Sequence, residues 1–462
     1  MLKKALVAIS VLAILQESAI ADISRLQGLL AAIPEGGWVQ ANTTTYSSAW
    51  VAGAAAVPPT PGGPGSVVAA WSSFAWDSTR GDLLLWGGGH ANYAGNEMYV
   101  WDGGTGAWAR GSLSSRVDAS YNVVDNAAPQ SAHTFDNNNY LPINDMFLTF
   151  GGGAYQSGSN FSSAKGREGP WLWDPAKADP NKVGGTSGSG YDPTSLGGNM
   201  WTNRQGQWSG TEVPGYINGT TAYRTENGKD VVYLTADSNA SGFPSLYRYT
   251  LGDVRNGGAD KWEMVGVMVN SVGYTGAATI DTANNLYVRS SIGGAYGDLA
   301  VWDLDYSNPA NPGNNRDVSV NLQYADGTPF EINASYGVEY DSASGKILLW
   351  SGAAKGKVWS VSPEMDSAGK VLNKWTVTAL SSTTAQQPSG NFGTGVLGKW
   401  KYVSELGAFV ALNEYSFSTG DAEVWLYKPF ALAVPEPSVY LMMLAGVGVM
   451  GWVMRRRRMN PT

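Results

Sequence analysis

The sequence predicts an all-β fold, a β-propeller of four-stranded blades, on three observations. First, its 462 residues include 59 glycines, 19 tryptophans and 23 tyrosines but only 15% charged residues, a composition typical of short strands, tight turns and aromatic packing. Second, apolar runs of strand length alternate with segments rich in Asp, Gly and Ser. Third, this succession returns in units of roughly 45 to 65 residues, a period that indicates propeller blades.

Six units are recognisable along the chain. The four predicted strands of the first are Phe74–Asp77, Asp82–Gly88, Glu97–Asp102 and Gly106–Trp108. The second unit has predicted strands at His133–Asp136, Met146–Gly152 and Pro170–Asp174, followed by a Gly/Ser-rich insertion before Trp201 and Trp208. Four weaker units follow, around residues 230–262, 285–303, 345–375 and 407–427. The sequence leaves open a seventh blade within residues 153–217 or 43–67.

Ring closure is also predicted. The final unit lacks a fourth strand after Tyr427, whereas Gly37–Gln40 stands alone near the start of the body. Pairing these two segments would remove the exposed edges of an open array of sheets. We therefore expect the first strand of the body to complete the last blade.

Residues 36–430 resemble kelch repeats of the galactose oxidase central-domain type. The matching elements are a glycine pair after the second strand, Tyr or Trp in the third and Trp in the fourth. The glycine pair is kept only in the first two units, as Gly87-Gly88 and Gly151-Gly152. The resemblance implies a fold and says little about function. Copper oxidase activity is excluded, because the copper site of galactose oxidase needs a cysteine crosslinked to a tyrosine and this chain has no cysteine.

The N-terminus has the three parts of a secretory signal peptide. Lys3 and Lys4 precede an apolar core, Ala5–Leu15, and Ala19-Ile20-Ala21 forms an A-x-A cleavage site. We predict a signal peptide over residues 1–21, followed by a short lead-in over residues 22–35. The protein is therefore expected to be exported.

The C-terminus carries a second targeting signal. A linker over residues 431–438 is followed by an apolar segment over 439–454, predicted to be a transmembrane helix, and by a basic cytoplasmic tail over 455–462. This order resembles the PEP-CTERM sorting signal, which implies an exosortase as partner, removal of the helix, and delivery from the inner membrane to the cell surface or extracellular matrix. The residues of the sorting motif are Pro435, Glu436, Pro437, Arg455, Arg456, Arg457 and Arg458.

Composition excludes several classes of function. The formal net charge is −8 at pH 7, and removal of both basic ends would leave a more acidic body, which argues against nucleic acid as a partner. Without cysteine the chain has no disulfide, thiol nucleophile or Cys-ligated metal. Two histidines are too few for a His-only metal site, and Asp136–Asn139 lacks the spacing of an EF-hand and is predicted to be a turn. We predict no metal and no cofactor.

The densest polar segment is the predicted loop Gly87–Glu97. Its glycines would allow the backbone to turn at positive φ and approach a ligand, and it supplies a base, an acid and a carboxylate. The alternative is a purely structural role, in which the Asn and Glu side chains of this loop form hydrogen bonds with backbone groups of the turn. The candidate catalytic residues are His90, Tyr93 and His133, and the candidate binding residues are Asn92, Asn96, Glu97, Arg224 and Arg289.

The leading hypothesis for function is an exported binding or scaffold module for extracellular polysaccharide or a surface partner. The alternative is a carbohydrate-active enzyme, because certain propeller polysaccharide lyases, including ulvan lyases, use His and Tyr for β-elimination. In that case His90 or His133 would remove the C5 proton of a uronate, and Tyr93 would protonate the leaving oxygen. Arg224 or Arg289 would neutralise the uronate carboxylate. A lyase requires both histidines beside one open cavity, whereas a scaffold does not.

Overall fold

The computed structural model describes residues 23–431 except 52–57, 59, 61, 91, 156–168, 187–190, 192–195, 212–214, 236–244, 270–274, 291–296, 334, 391–393 and 415–420. The predicted signal peptide and the predicted sorting segment, including the transmembrane helix, lie outside these residues. Within the described ranges, no helix combines the length and apolar character needed to cross a membrane. Helical residues are few there, at α1 (23–31), at α2 (Ser66–Ala69) and in short 3₁₀ turns at Tyr46–Ala49, Pro175–Lys177, Leu304–Tyr306, Pro312–Asn314 and Gly352–Ala354.

Antiparallel groups of four strands follow one another along the chain. After β1 (Trp38–Gln40), the first group contains β2 (Phe74–Asp77), β3 (Asp82–Leu85), β4 (Tyr99–Trp101) and β5 (Trp108–Arg110). A short strand β6 (Ala132–His133) precedes the second group, which contains β7 (Asn138–Leu141), β8 (Met146–Thr149), β10 (Trp171–Trp173) and β11 (Trp201–Asn203). Strand β9 (Gly153–Ala154) leaves this group and pairs with β6 instead.

The remaining groups have longer strands. The third contains β13 (Thr220–Glu226), β14 (Lys229–Thr235), β15 (Leu246–Thr250) and β16 (Asp260–Gly266), and β12 (Trp208–Gly210) runs parallel to its outer strand. The fourth contains β17 (Ala278–Asp281), β18 (Leu286–Ser290), β19 (Leu299–Asp303) and β20 (Val318–Gln323), with β21 (Pro329–Phe330) paired to β20. The fifth contains β22 (Gly337–Asp341), β23 (Lys346–Trp350), β24 (Val358–Ser362) and β25 (Lys374–Leu380). The last contains β26 (Trp400–Val403), β27 (Ala408–Glu414) and β28 (Ala422–Tyr427).

The predicted ring closure is confirmed. Strand β1 pairs antiparallel with β28, so that Trp38 lies opposite Tyr427. The Trp38 side chain is 1% exposed, and its ring centroid lies 4.9 Å from that of Tyr427, 5.5 Å from Trp350 and 5.7 Å from Trp400. The N-terminal strand is therefore held by both backbone pairing and a buried aromatic cluster.

The first strands of the groups line a central channel. Consecutive first strands contact each other in the order β2, β7, β13, β17, β22 and β26, and the Phe74 amide donates to the Gly398 carbonyl where the ring returns to its start. The apolar core lies between neighbouring sheets, where most tryptophans are buried. The described residues thus form a mostly-β, propeller-like ring, and the described parts of 43–67 and 153–217 add no further four-stranded sheet.

Two local predictions were wrong. The first strand of the second group is β7 and not His133–Asp136, because the chain turns between Thr134 and Asn137, with Phe135 at φ +51°. The Asn137 amide closes this turn by donating to the Thr134 carbonyl over 2.7 Å. The predicted turn at Asp136–Asn139 is consequently displaced, since its last two residues already belong to β7.

Candidate functional site

Both histidines of the chain lie together near the N-terminal ends of the first strands. His90 lies in the loop between β3 and β4, and His133 lies in β6, five residues before β7 begins. The two ring centroids are 5.2 Å apart, with the ring planes at 77°. His90 is exposed, whereas His133 is only 5% exposed. The structure therefore brings the two predicted residues into contact at one end of the channel.

Glycines make this contact possible. A Cβ on Gly89 would collide with the backbone of Ala132, and a Cβ on Gly152 would collide with the carbonyl oxygen of His133. The loops of the first two units can therefore approach the segment at residues 131–133 from both sides only if they carry glycine here. This close approach gives a physical reason for Gly152 of the second glycine pair and for Gly89, which directly follows the first pair.

Hydrogen bonds hold the loop against this segment. The Ser131 hydroxyl is buried and lies 2.9 Å from the Gly87 carbonyl oxygen and 2.8 Å from that of Tyr93. His133 Nε2 lies 2.9 Å from Asn92 Oδ1, so a proton on Nε2 is donated to the amide oxygen. Burial, reinforced by the neighbouring His90, lowers the pKa of His133 to about 3. His133 is therefore a neutral imidazole at physiological pH.

Aromatic rings surround His133 on further sides. The Trp71 ring centroid lies 4.7 Å away and that of Phe135 lies 6.2 Å away. Trp71, His90 and Phe135 all have left-handed backbone conformations, with φ of 44°, 49° and 51°. Bulky residues adopt this region at an energetic cost and are found there where surrounding structure holds them. We call Trp71, His90, Asn92, His133 and Phe135 the histidine cluster.

Neighbouring contacts hold this strained backbone in place. The Phe135 amide donates to the Trp71 carbonyl over 2.7 Å, and the Trp71 amide donates to Thr394 Oγ1 over 2.7 Å. The Thr394 hydroxyl in turn donates to the Ala69 carbonyl. The Trp71 side chain remains half-buried, so part of the cluster faces outward together with His90.

Tyr93 and Glu97 are buried together beneath the loop. Tyr93 is 0% exposed, and its hydroxyl donates to Glu97 Oε1 over 2.7 Å, as does the Tyr99 hydroxyl over 2.8 Å. Burial raises the pKa of Glu97, and burial together with Glu97 raises the pKa of Tyr93 well above its usual value. Tyr93 therefore cannot reach the leaving oxygen of a polymer, and the sequence-based assignment of both residues to a ligand site is corrected to a role in packing.

Asn96 is likewise a structural residue. It is 2% exposed, its Nδ2 donates to the Pro129 carbonyl over 2.9 Å, and its Oδ1 accepts from the Ser115 amide over 2.8 Å. Both ends of its amide are engaged with backbone groups, as the structural interpretation of this loop predicts. The predicted binding role of Asn96 is therefore not supported.

The two candidate arginines lie on other sheets. Arg224 on β13 donates to Glu226 Oε1 over 2.6 Å and also contacts Asn285 and the Tyr233 ring. Arg289 on β18 is 1% exposed, so a polymer carboxylate cannot reach its guanidinium. Neither position suits the neutralisation of a uronate beside the histidines, because Arg224 already has a carboxylate partner and Arg289 is buried.

A charged cluster inside the channel was missed by the sequence analysis. Lys401 Nζ lies 3.0 Å from Asp136 Oδ1 and 3.0 Å from Glu339 Oε1, and Asp136 is 0% exposed. Burial raises the pKa of Glu339 to about 7 against the opposing effect of Lys401. Burial lowers and the two carboxylates raise the pKa of Lys401, with a net upward shift. We call these three residues the channel ion cluster. In the sequence, this cluster is indicated only by a charged residue within each of two otherwise mostly apolar strands, Glu339 in β22 and Lys401 in β26.

A cavity of about 350 Å³ opens at the opposite end of the channel from the histidine cluster. Its wall includes side chains from the first strand of every group, namely Trp76, Tyr140, Tyr223, Ile280, Tyr340 and Tyr402. Lys401 and Glu339 line its inner part, and Ser342, Ser404 and Glu405 lie on its rim. We call this cavity the funnel. Among the described residues, no group of three His, Cys, Asp or Glu side chains is arranged to hold a metal ion.

Solved structures similar to this chain include enzymes and a propeller domain. An α-L-arabinofuranosidase of Fusarium graminearum in complex with an iminosugar inhibitor is 13% identical, with 80% of this chain and 96% of that chain covered and a TM-score of 0.41. A Penicillium chrysogenum α-L-arabinanase complexed with arabinobiose is 13% identical, with 85% and 98% covered and a TM-score of 0.41. The Dos1 propeller is 9% identical, with 77% and 92% covered and a TM-score of 0.35.

The sequence comparisons concern the C-terminus. No curated protein matches the chain. The family model of the PEP-CTERM protein-sorting motif matches residues 433–458. This confirms the motif predicted from Pro435, Glu436, Pro437 and the arginines that follow, and it implies processing by an exosortase. The chain therefore carries a PEP-CTERM sorting signal, which indicates an exported protein with a membrane-anchored sorting segment.

Proposed function

We propose that this protein is a non-enzymatic, exported β-propeller that binds extracellular polysaccharide through its histidine cluster. The proposal includes six kelch-like blades within a domain at residues 36–430 and final placement at the cell surface or in an extracellular matrix. The residues that contact the polysaccharide are His90 and Trp71, and the buried His133, bonded to Asn92, supports them from below. Tyr93, Asn96, Glu97, Arg224 and Arg289 are not part of it.

The observation that carries the proposal is the continuous group of rings formed by Trp71, His133 and His90. Trp71 is half-buried and His90 is exposed, so aromatic and imidazole faces are available at the end of the channel. Flat rings of this kind suit stacking on pyranose rings, while imidazole and amide groups supply hydrogen bonds to hydroxyls. Three of the cluster residues have a left-handed backbone, which is energetically unfavourable for bulky side chains. Strained backbone of this kind is found most often at functional sites, which supports a binding role for the cluster.

The same site is poorly suited to β-elimination. Such a reaction needs a base that ionises near the working pH, an acid within hydrogen-bond reach and a cation for the carboxylate. His133 has a pKa of about 3, and the Tyr93 hydroxyl is buried on Glu97. His90 alone remains accessible. The contact between the two histidines is the one feature that a lyase would share with a binding site.

The test is a binding and activity assay on the full-length protein, kept in a detergent without a sugar headgroup. A panel of neutral and uronate-containing polysaccharides is used for pull-down, and ultraviolet absorbance reports unsaturated products of β-elimination. Wild type is compared with Trp71→Ala and His90→Ala, and Tyr306→Ala serves as a control because Tyr306 is an exposed aromatic residue, at 63%. We expect pull-down without absorbance, weakened by the first two changes and unaffected by the control.

Other outcomes would overturn the proposal. Absorbance that disappears in His90→Ala would make the protein a lyase. Absence of polysaccharide pull-down, with capture of a surface protein instead, would assign the histidine cluster to a protein partner. Placement at the surface is tested separately by deleting residues 433–458 and fractionating cells, since the deleted form should be released to the medium and its retention would contradict sorting by this segment.

A further inference from the structure

The funnel and the histidine cluster are separate places on the molecule. Between them lie Ser72, Ser73, Thr134 and Asp136, each 0% exposed. The funnel lies on the side where the first strands end, because its rim includes residues that directly follow β17, β22 and β26. A ligand in the funnel therefore enters from one end only and stops at the channel ion cluster. Such a site accepts a small molecule or the end of a chain and excludes the middle of a polymer.

The size and wall of the funnel suit a saccharide. Its volume of about 350 Å³ is at the small end of the range of roughly 300–1,000 Å³ for ligand sites. Tyr223, Tyr402 and Trp76 are all half-buried on its wall, so each leaves part of its ring accessible. These rings face the cavity from several directions, so a sugar ring can stack on them. The hydroxyls of the sugar can then lie in the gaps between the aromatic rings.

Polar groups with spare hydrogen-bonding capacity lie deeper in the funnel. The Lys401 ammonium has three N–H donors, and the two carboxylates of the channel ion cluster account for two of them. The Lys401 side chain is 16% exposed, so its remaining donor can face the cavity. Asn138 also lines the cavity, but its amide is held by the backbone, because Nδ2 donates to the Ser73 carbonyl over 2.9 Å and to the Trp86 carbonyl over 3.0 Å. The remaining donor of Lys401 is therefore the group that can bind a ligand hydroxyl.

Charge decides against an anionic ligand. One cation, Lys401, faces Asp136 and Glu339, and Glu405 adds a further carboxylate at the rim. The carboxylates therefore outnumber the cation, and a uronate or phosphate would be repelled. A neutral ligand avoids this repulsion while its hydroxyls still donate to Glu339 and accept from Lys401.

We propose that the funnel is a second binding site. It holds a neutral monosaccharide or disaccharide, either as a free sugar or as the terminal unit of a glycan chain. The site is independent of the histidine cluster. With one site at each end of the channel, a single molecule could hold a polysaccharide at one end and a neutral glycan terminus at the other.

The test is isothermal titration calorimetry of the full-length protein with cellobiose and with maltose. The protein is kept in a detergent without a sugar headgroup. Digalacturonate is the anionic comparison. Tyr402→Ala removes a ring from the wall, and Ser404→Trp places a bulky side chain on the exposed rim, where it does not disturb the core. We expect at least one neutral disaccharide to bind and both changes to weaken it about tenfold or more, the loss expected from about 1.4 kcal/mol of contact.

Matched controls separate this site from the rest of the molecule. Tyr306→Ala, at an exposed tyrosine, should leave disaccharide binding unchanged. Ser404→Trp keeps the test valid if Tyr402→Ala fails to fold. No binding of either neutral disaccharide, tighter binding of digalacturonate, or binding that Ser404→Trp leaves unchanged would each overturn the funnel proposal. Polysaccharide pull-down lost in Trp71→Ala is a separate result, which bears only on the histidine cluster.

Discussion

Removal of the Lys401 ammonium should destabilise the protein in a manner that depends on pH. Lys401 Nζ lies 3.0 Å from a carboxylate oxygen of Asp136 and 3.0 Å from one of Glu339, and their side chains are 0% and 16% exposed. The change Lys401→Met keeps an unbranched chain of similar length but leaves two carboxylates facing each other inside the channel. Breaking a buried ion pair by removing one partner costs about 3–5 kcal/mol. We expect a loss of this size in the free energy of unfolding at pH 8.

The direction of the pH effect follows from Glu339. Its pKa in the folded protein is about 7, above its ordinary value of 4.5, so the folded state binds this proton more tightly than the unfolded state. Stability from this group is therefore present below about pH 4.5 and is lost as pH rises through about 7, by at most about 3 kcal/mol. Without Lys401 the carboxyl stays protonated at pH 5 and is forced to ionise only at higher pH. The cost of Lys401→Met should thus be smaller at pH 5 than at pH 8.

The assay is urea denaturation followed by tryptophan fluorescence at pH 5 and pH 8. Lys374→Met is the control, because Lys374 is exposed at the start of β25 and its loss should change stability by less than about 0.5 kcal/mol. Adding Glu339→Gln to Lys401→Met should remove most of the difference between the two pH values. A cost below about 1 kcal/mol, or an equal cost at pH 5 and pH 8, would show that Lys401 does not neutralise buried carboxylates.

Three further predictions concern the site and the ring. Gly89→Ala should lower the midpoint of thermal unfolding and weaken polysaccharide binding, because its Cβ would collide with Ala132, whereas Gly63→Ala, in open space, should change neither; equal midpoints for the two variants would contradict this. Trp38→Ala should cost about 3–5 kcal/mol in denaturation experiments, since it empties a buried site in the strand that closes the ring, and a loss below about 1 kcal/mol would argue against that closure. The His133 ring protons should keep their NMR shifts from pH 8 to pH 5, because the pKa of about 3 lies below this window, and a titration with a midpoint near 6.5 would show that the ring is solvated. By the same shift, His133 should reduce stability as pH falls from about 6.5 toward 3.

Much of the fold was predictable because its signals are local. Apolar runs, turn residues and tryptophans recur along the chain, and each blade is a meander of neighbouring strands. The pairing of Trp38–Gln40 with the last group was predictable for a different reason, since a missing strand at one end matched an isolated strand at the other. His90 and His133 lie in neighbouring units of the sequence, and the structure brings their ring centroids to 5.2 Å.

The wrong prediction of a strand at His133–Asp136 shows that local sequence patterns do not always distinguish strands from turns. A left-handed turn at Phe135 separates the histidine from β7, and a short apolar run does not distinguish a strand from a turn of this kind. Spacing along the loop likewise placed Tyr93 beside His90 but could not show that its hydroxyl faces inward to Glu97. Side-chain direction in an irregular loop depends on what packs around it.

The β-rich repeats and the sorting signal could be predicted because each is a pattern of contiguous residues or a simple period, and the closing strand could be predicted because one end of the chain lacked the strand that the other end had in excess. The side chains that meet at the centre of the ring could not be predicted in this way. Asp136 and Lys401 are 265 residues apart and touch because the first strands of different sheets converge on one channel. No local pattern encodes a contact made by closing a ring, so the channel ion cluster and the funnel became visible only once the sheets were in place.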